Sequence, residues 1–367
     1  MSFSFFKQSR PKTPQELAKA LKDSLMAIDN ITAAEVKSLE KGMEEVEKNI
    51  MTMRTMLSGD GEVEPSADQI TQLALEICNE DAISLLFHKL PILGWEARKN
   101  LVHCWSILLK QKVDSVNFCE QYMEKHLELL DFLVVCYDNK EIALTCGHML
   151  RECIKFPTLS KYILESPCFE LFFKFIELPT FDVASDAFST FKDLMTKHPT
   201  AVSEYLTTHY SEFFEHYEKL LTSANYVTRR QSLKLLSDFL LESPSTHIMK
   251  RYIGEVRHLK VMMTLLKVFV ANPNKPRDIK LILAKNHEKL IALLQSLSPG
   301  KGLISFPTSL DYPQPRDKIK HLVLVKTCVP QFIEYVWVIS GVEDDQFEEE
   351  KELIIKEIDR VHRLAEI

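Results

Sequence analysis

"DVASDAFSTFKDLMTKHP", residues 182–199, decides the fold. Ala184, Ala187, Phe188, Phe191, Leu194 and Met195 recur every three or four residues, so they share one side of a helix. Ser185, Asp186, Ser189, Lys192 and Asp193 take the other side, and Pro199 stops the run. The pattern predicts a helix over 180–196 that buries its apolar stripe in a core.

The same design lies on either side of this stretch. "EIALTCGHMLRECIKFP" (141–157) and "YVTRRQSLKLLSDFLLESP" (226–244) are amphipathic helices closed by Pro157 and Pro244, so the three prolines are 42 and 45 residues apart. A fainter copy, "NLVHCWSILLKQ", puts Cys104 42 residues before Cys146. Repeats of about 40–47 residues made of two or three helices belong to armadillo and HEAT arrays, where each unit buries its apolar face only by stacking on the next. The expectation is an all-α, armadillo/HEAT-like helical-repeat solenoid, wound as a right-handed superhelix with a long concave surface. Only 9 glycines occur in 367 residues, too few for the turns of an all-β protein, and no period-2 strand pattern is convincing before residue 303.

Punctuation divides the chain. Thr13, Pro14 and Glu16 form the N-cap, first helical position and closing residue of a capping box, and Ser66 with Gln69 repeats that signature. The expected plan is a helical cap over 1–57, a linker "SGDGEVEPS" at 58–66, repeats over 67–301, an irregular insertion near 302–341 and a C-terminal helix over 342–367. The repeat rhythm fails once. A proline stop is due near 286–289 but arrives at Pro273, only 29 residues after Pro244, so about 15 residues, roughly four helical turns, are missing at 267/268. Residues 303–341 carry Pro307, Pro313, Pro315 and Pro330 among β-branched and aromatic runs that copy nothing else in the chain.

Charge and motif content narrow the chemistry. A net charge of −7 supplies no general field for nucleic acid. The cysteines at 78, 104, 119, 136, 146, 153, 168 and 328 include no CxxC pair and read as reduced, buried thiols of an intracellular, cytoplasmic protein, not as a metal or disulfide framework. The N-terminus lacks the pattern of a secretory signal, and "HLVLVKTCVPQFIEYVWVISG" is broken by Lys326, Pro330 and Glu334, so no membrane span is expected. Phosphate-loop, dinucleotide, hydrolase, zinc-protease and kinase signatures are missing, and "DGEVEPSAD" lacks the ligand spacing of an EF-hand. No catalytic residue, cofactor or metal is expected.

What stands out is a cationic strip. Tyr226, Arg229, Arg230 and Lys234 lie on one helical stretch with Arg230 and Lys234 on the same face, and Lys250, Arg251, Arg257 and Lys260 continue it. An ordinary solvated face has this composition too; Arg beside Tyr is also the composition of a binding hot spot. Met262, Met263, Leu265 and Leu266 read either as core or as the floor of an adaptable groove.

"EIALTCGHMLREC", "TFDVASDAFSTFKDLMTKH", "ANYVTRRQSLKLL", "LKVMMTLL" and "VFVANPNKP" resemble the calcium-binding protein 39 family, also called mouse protein 25. The resemblance covers roughly 1–301 and 342–364. It implies a non-catalytic armadillo-like scaffold that binds and allosterically activates sterile-twenty-type protein kinases or the pseudokinase STRAD, with NDR-type kinases as partners outside animals. On that resemblance the concave-face contacts fall on Tyr226, Arg230 and Lys234, and a pocket for a C-terminal Trp-Glu-Phe peptide falls on Met263, Lys285 and Lys289. Ser243 and Thr246 stand where animal members have Arg and Phe. The short junction at 267/268 and the insertion together look like alternative splicing, or an imperfect gene model. Two other readings stay open on the residues alone: a generic armadillo-type peptide adaptor unconnected with kinases, and an enzyme of unrecognised type.

Overall fold

The computed structural model describes residues 10–29, 36–59, 64–240, 243–255, 258, 280, 283–284, 287–296 and 345–365. Among them every regular element is helical, and the one β-type pairing is an isolated bridge from Val113 to Val116. The chain is the all-α helical-repeat protein expected. The junction at 267/268 and the insertion over 302–341 lie outside the described residues. Two compact units divide the chain, residues 1–201 and 202–367.

The first unit opens with α1 (Pro14–Asp29) and α2 (Val36–Ser58). Three helical triplets follow: α3 (Ala67–Asn79), α4 (Ala82–Lys89) and α5 (Trp95–Leu108); α6 (Phe118–Lys125), α7 (Glu128–Val135) and α8 (Ala143–Cys153); α9 (Pro157–Glu165), α10 (Leu171–Ile176) and α11 (Phe181–Thr196). The recurring sequence motif is the third helix of each triplet. α2, α5, α8 and α11 pack in succession, each on the one before.

Each seam of this ladder is an apolar contact with polar stitches. Arg54 on α2 donates to the Asn100 side chain on α5 over 2.6 Å. Trp105 on α5, fully buried, donates its indole N–H to the Met149 carbonyl on α8 over 3.2 Å. Arg151 on α8 reaches α11, with Nη2 on Asp186 Oδ1 at 2.7 Å and Nη1 on Thr190 Oγ1 at 2.7 Å; Tyr137 donates to the other oxygen of Asp186 at 2.8 Å. A charge largely shielded from water is tolerated when it is paired and hydrogen-bonded, and this one is. All six residues of the predicted α11 stripe are buried, as expected. Asp186 departs from expectation: the helical period places it with the solvent-facing residues, but it turns into the seam to meet Arg151.

The prolines explain the repeat length. Pro157 is the first residue of α9, preceded by Phe156 in extended backbone (φ −96°, ψ 122°). A residue before proline avoids the helical region, and proline itself fits the first helical turn, so one residue ends a repeat and starts the next. Pro199 likewise opens α12 (Pro199–Thr208). The capping box at the start of α1 forms: Thr13 Oγ1 accepts from the Glu16 amide at 3.2 Å, and Glu16 Oε2 accepts from the Thr13 amide at 2.9 Å. The one expected at Ser66 does not. Its side chain makes no cap bond, and its carbonyl alone receives the Ile70 amide at 3.0 Å.

The second unit contains most of α12, then α13 (Tyr210–Leu221), α14 (Tyr226–Leu240), α15 (Thr246–Gly254), α16 (His287–Ser296) and α17 (Asp345–Ala365). Phe213, Phe214, Tyr217, Phe239 and Tyr252 form its aromatic core, with ring centroids 4.8–6.5 Å apart in edge-on, tilted and stacked pairs. α16 and α17 pack through Leu290, Leu294, Ile354, Ile358 and Val361, and Leu283 joins the same cluster from ahead of α16.

Candidate functional site

The candidate surface is built on α14. Asn225 precedes the helix, and its Oδ1 accepts the Val227 amide at 2.9 Å, satisfying a first-turn N–H that has no intrahelical partner. Thr228, Ser232, Leu233, Leu235, Leu236, Phe239 and Leu240 are the buried side. Tyr217 of α13, buried beneath them, donates to the Ser232 carbonyl at 2.7 Å. With that side committed, the helical period leaves Tyr226, Arg230 and Lys234 exposed on three successive turns, flanked by Val227 and Gln231. Tyr226 keeps 65% of its surface open to solvent, a large area for a tyrosine with a core available next to it.

Other members of the sequence strip separate from this stripe. Arg229 folds back on the preceding turn, Nη1 donating to the Ser223 carbonyl at 2.5 Å and to the Ala224 carbonyl at 3.3 Å. Arg251 lies over the Tyr210 ring, its guanidinium carbon 3.7 Å from the centroid, and pairs with Glu255 at 3.5 Å. Adjacent arginines thus have different jobs: Arg229 ties the turn, and Arg230 faces out. Lys250 is exposed on α15, while Arg257 and Lys260 lie outside the described residues.

Of the expected peptide-pocket residues, Met263 and Lys285 also lie outside the described residues. Lys289 falls in α16, but its side chain is outside them too. Thr246, at one of the two departure positions, is exposed as the first residue of α15.

Two exposed aromatics escape a reading of the amphipathic stripes alone. Phe181 opens α11 with 62% of its surface exposed, and Trp95 opens α5 with 67%. A signal was available. Aligned on the prolines, Phe181 and Tyr226 each precede their stop by 18 residues, so they occupy one repeat position. Phe181 lies one turn ahead of the Ala184 stripe, where a phase count starting at the first buried residue passes over it.

Among the described residues no group of three or more His, Cys, Asp or Glu side chains could hold a metal ion. Within the same residues no helix is long and apolar enough to cross a membrane. The seven described cysteines are free, five of them buried; Cys328 lies outside.

The family model described as Mo25-like matches residues 4–302. The chain belongs to the Mo25-like family. A human relative named "Calcium-binding protein 39-like" is 40% identical over 300 residues, covering 78% of this chain and 88% of the relative. "MO25-like protein 2" of Caenorhabditis elegans is 40% identical over 299 residues, covering 77% and 88%. The "Mo25-like protein" of Schizosaccharomyces pombe is 39% identical over 312 residues, covering 81% and 92%. A Mo25-like chain is a scaffold for protein partners, and none of these three relatives is named as an enzyme. The α14 stripe is therefore an exposed surface on the second unit of a Mo25-like helical-repeat chain. The family match ends at residue 302, where the sequence reading begins the insertion.

Proposed function

We propose that this Mo25-like protein is a non-catalytic scaffold that binds a sterile-twenty-type or NDR-type kinase, or a STRAD-like pseudokinase, on the concave face of its array. The stripe of Tyr226, Arg230 and Lys234 carries the reading. An exposed aromatic beside two cations on consecutive turns offers area for packing and charge for acidic groups on a kinase domain. Binding that favours the active conformation of the kinase over the inactive one activates it by differential affinity, with no chemistry from the scaffold.

The same proposal assigns Met263, Lys285 and Lys289 to a pocket for a C-terminal Trp-Glu-Phe peptide: an apolar floor for the aromatics and ammonium groups for the acid. This chain has a shortened version of that region. The human relative aligns over 300 positions, yet 78% of 367 residues is about 286, which supports a loss of roughly 14 positions within the matched span.

The test is a pull-down of purified kinase domains by the full chain and by Arg230→Ala, with kinase turnover of a peptide substrate measured alongside. Loss of an interfacial arginine lowers affinity by about tenfold or more, and activation falls with it. Unchanged binding overturns the assignment to α14. A labelled Trp-Glu-Phe peptide, titrated into the same protein, reads the second pocket independently of the first.

A further inference from the structure

Cys78 and Cys119 are 41 residues apart in the chain, but their sulfurs lie 3.7 Å from each other. Cys78 is the penultimate residue of α3 and half-buried; Cys119 is the second residue of α6 and 1% exposed. Both belong to the first unit, where α3 packs on α6. We propose that Cys78 and Cys119 form an oxidant-reactive thiol pair, in which a hydroperoxide converts two free thiols into a disulfide that joins α3 to α6.

The two positions differ in the way the two roles require. A reacting thiol needs access, and Cys78 has it; a resolving thiol needs to be in contact with the first and shielded from further oxidant, and Cys119 is. Contact with Cys78, together with burial, keeps the Cys119 proton on well above its ordinary range. Either thiol can donate in this contact, and Cys78 is the more exposed residue of the two. Closing to a disulfide moves the sulfurs about 1.7 Å nearer, to about 2.05 Å. Cys78 lies in the last turn of α3, where carbonyls have no further intrahelical donors and the helix yields most easily.

The chemistry balances without a cofactor. The Cys78 sulfur attacks one peroxide oxygen, the O–O bond breaks, and the products are a sulfenic acid on Cys78 and one water. The Cys119 sulfur then attacks the Cys78 sulfur; the S–O bond breaks and the hydroxide departs with the Cys119 proton as a second water. Two thiols lose two electrons, and the peroxide gains them.

The other thiols provide an internal comparison. Cys104 and Cys153 are fully buried, and burial pushes each up to about 12. Cys136 and Cys146 touch, and the Cys146 thiol holds that of Cys136 below its ordinary value, but both residues are buried, unlike Cys78. Cys168 is half-buried beside Asp131 and Ser166.

The experiment treats the reduced full chain, freed of reductant, with a few equivalents of hydrogen peroxide and follows intact mass, peptide linkage and thermal midpoint. The expected result is a loss of about 2 Da, peptides of Cys78 and Cys119 linked to each other, reversal by dithiothreitol, and a midpoint raised by about 5 °C. Cys119→Ser leaves the sulfenic acid unresolved, and dimedone labels Cys78. Cys119 is buried, so Cys78→Ser is measured beside it: this variant keeps the reduced midpoint and loses the mass change. The proposal is overturned by dimedone-labelled or sulfinic Cys78 in the unsubstituted chain without a cross-link. Linkage of Cys136 to Cys146 in its place, or eight thiols unreacted after tens of equivalents, overturns it equally.

Discussion

Tyr217 donates its hydroxyl to the carbonyl of Ser232 over 2.7 Å, and both residues are fully buried. Together with the packing of Phe239 on Phe213 and Tyr217, this bond ties α14 to α13 at the middle of the helix that carries Tyr226, Arg230 and Lys234. Burial holds the phenol protonated well above its ordinary range, so it remains a donor throughout the working pH range.

Tyr217→Phe removes that bond while keeping the ring that packs on Phe213 and Phe239. The Ser232 carbonyl sits within α14 and keeps its place in the helical ladder, so the cost is about 1 kcal/mol. Chemical denaturation of the variant and parent checks it; a loss above about 3 kcal/mol contradicts this account of the contact.

Gly147 has no room to become anything else. A β-carbon there runs into Asp186 Oδ2 and the Tyr137 hydroxyl. Those two groups cannot swing aside, because they bond each other at 2.8 Å and Asp186 is also held by Arg151. Gly147→Ala should destabilise the first unit by about 3 kcal/mol, despite the better helix propensity of alanine. Thermal unfolding measures it, and a neutral outcome rejects the rigidity argued for the network.

The turn between α5 and α6 holds Asp114 and Ser115 at φ 49° and 71°, between the mutually bonded Val113 and Val116. A side chain in this left-handed region costs roughly 1–2 kcal/mol, and glycine avoids the cost. Ser115→Gly is expected to stabilise the chain by about 0.5–1 kcal/mol after the extra freedom glycine gives the unfolded chain is subtracted. An unchanged or lowered midpoint counts against strain at this tip.

At the start of α1, the Thr13 amide holds the Glu16 carboxyl below its ordinary value of 4.5, with Arg10 and Lys12 helping. A carboxylate with a depressed folded pKa adds stability that is fully present above the unfolded value and is lost as pH falls through the folded one. α1 should therefore fray as pH drops below about 4.5, seen as lowered exchange protection of the amides of residues 15–17. Glu16→Gln should remove that pH dependence and leave the rest of the exchange pattern in place.

The repeat architecture was legible because two periods coincide in the sequence: 3.6 residues within a helix and about 42 between copies. Ala184 to Met195 announces its core face by apolarity alone, and Pro157 and Pro199 mark boundaries by a covalent constraint that no tertiary context cancels. Asp186 was misread because the cause of its burial, Arg151, lies 35 residues away on α8, and helical phase carries no information about distant charge partners. Ser66 has the residue type of a cap without the bond, since the hydroxyl has choices that its identity does not fix. On α14 the sequence singled out Arg229 and Arg230 together; only the backbone of the Ser223–Ala224 turn separates them. Phe181 shows the reverse case, visible once copies are aligned and invisible in a single stretch.

The stitched ladder of the first unit has a consequence for how the unit comes apart. In stacked repeats each helix answers only to its neighbours, so local opening is a contest between adjacent seams. The α2–α5 seam is tied by Arg54 to Asn100, the α5–α8 seam by a buried indole on a carbonyl, and the α8–α11 seam by the Arg151–Asp186 charge pair with Thr190 and Tyr137 bonded to it. Breaking the last exposes a guanidinium and a carboxylate that only water could then satisfy. Fraying that enters from α1 therefore meets its steepest barrier at α8, which divides the unit into an outer part that breathes and an inner part that exchanges its amides only when the whole unit unfolds.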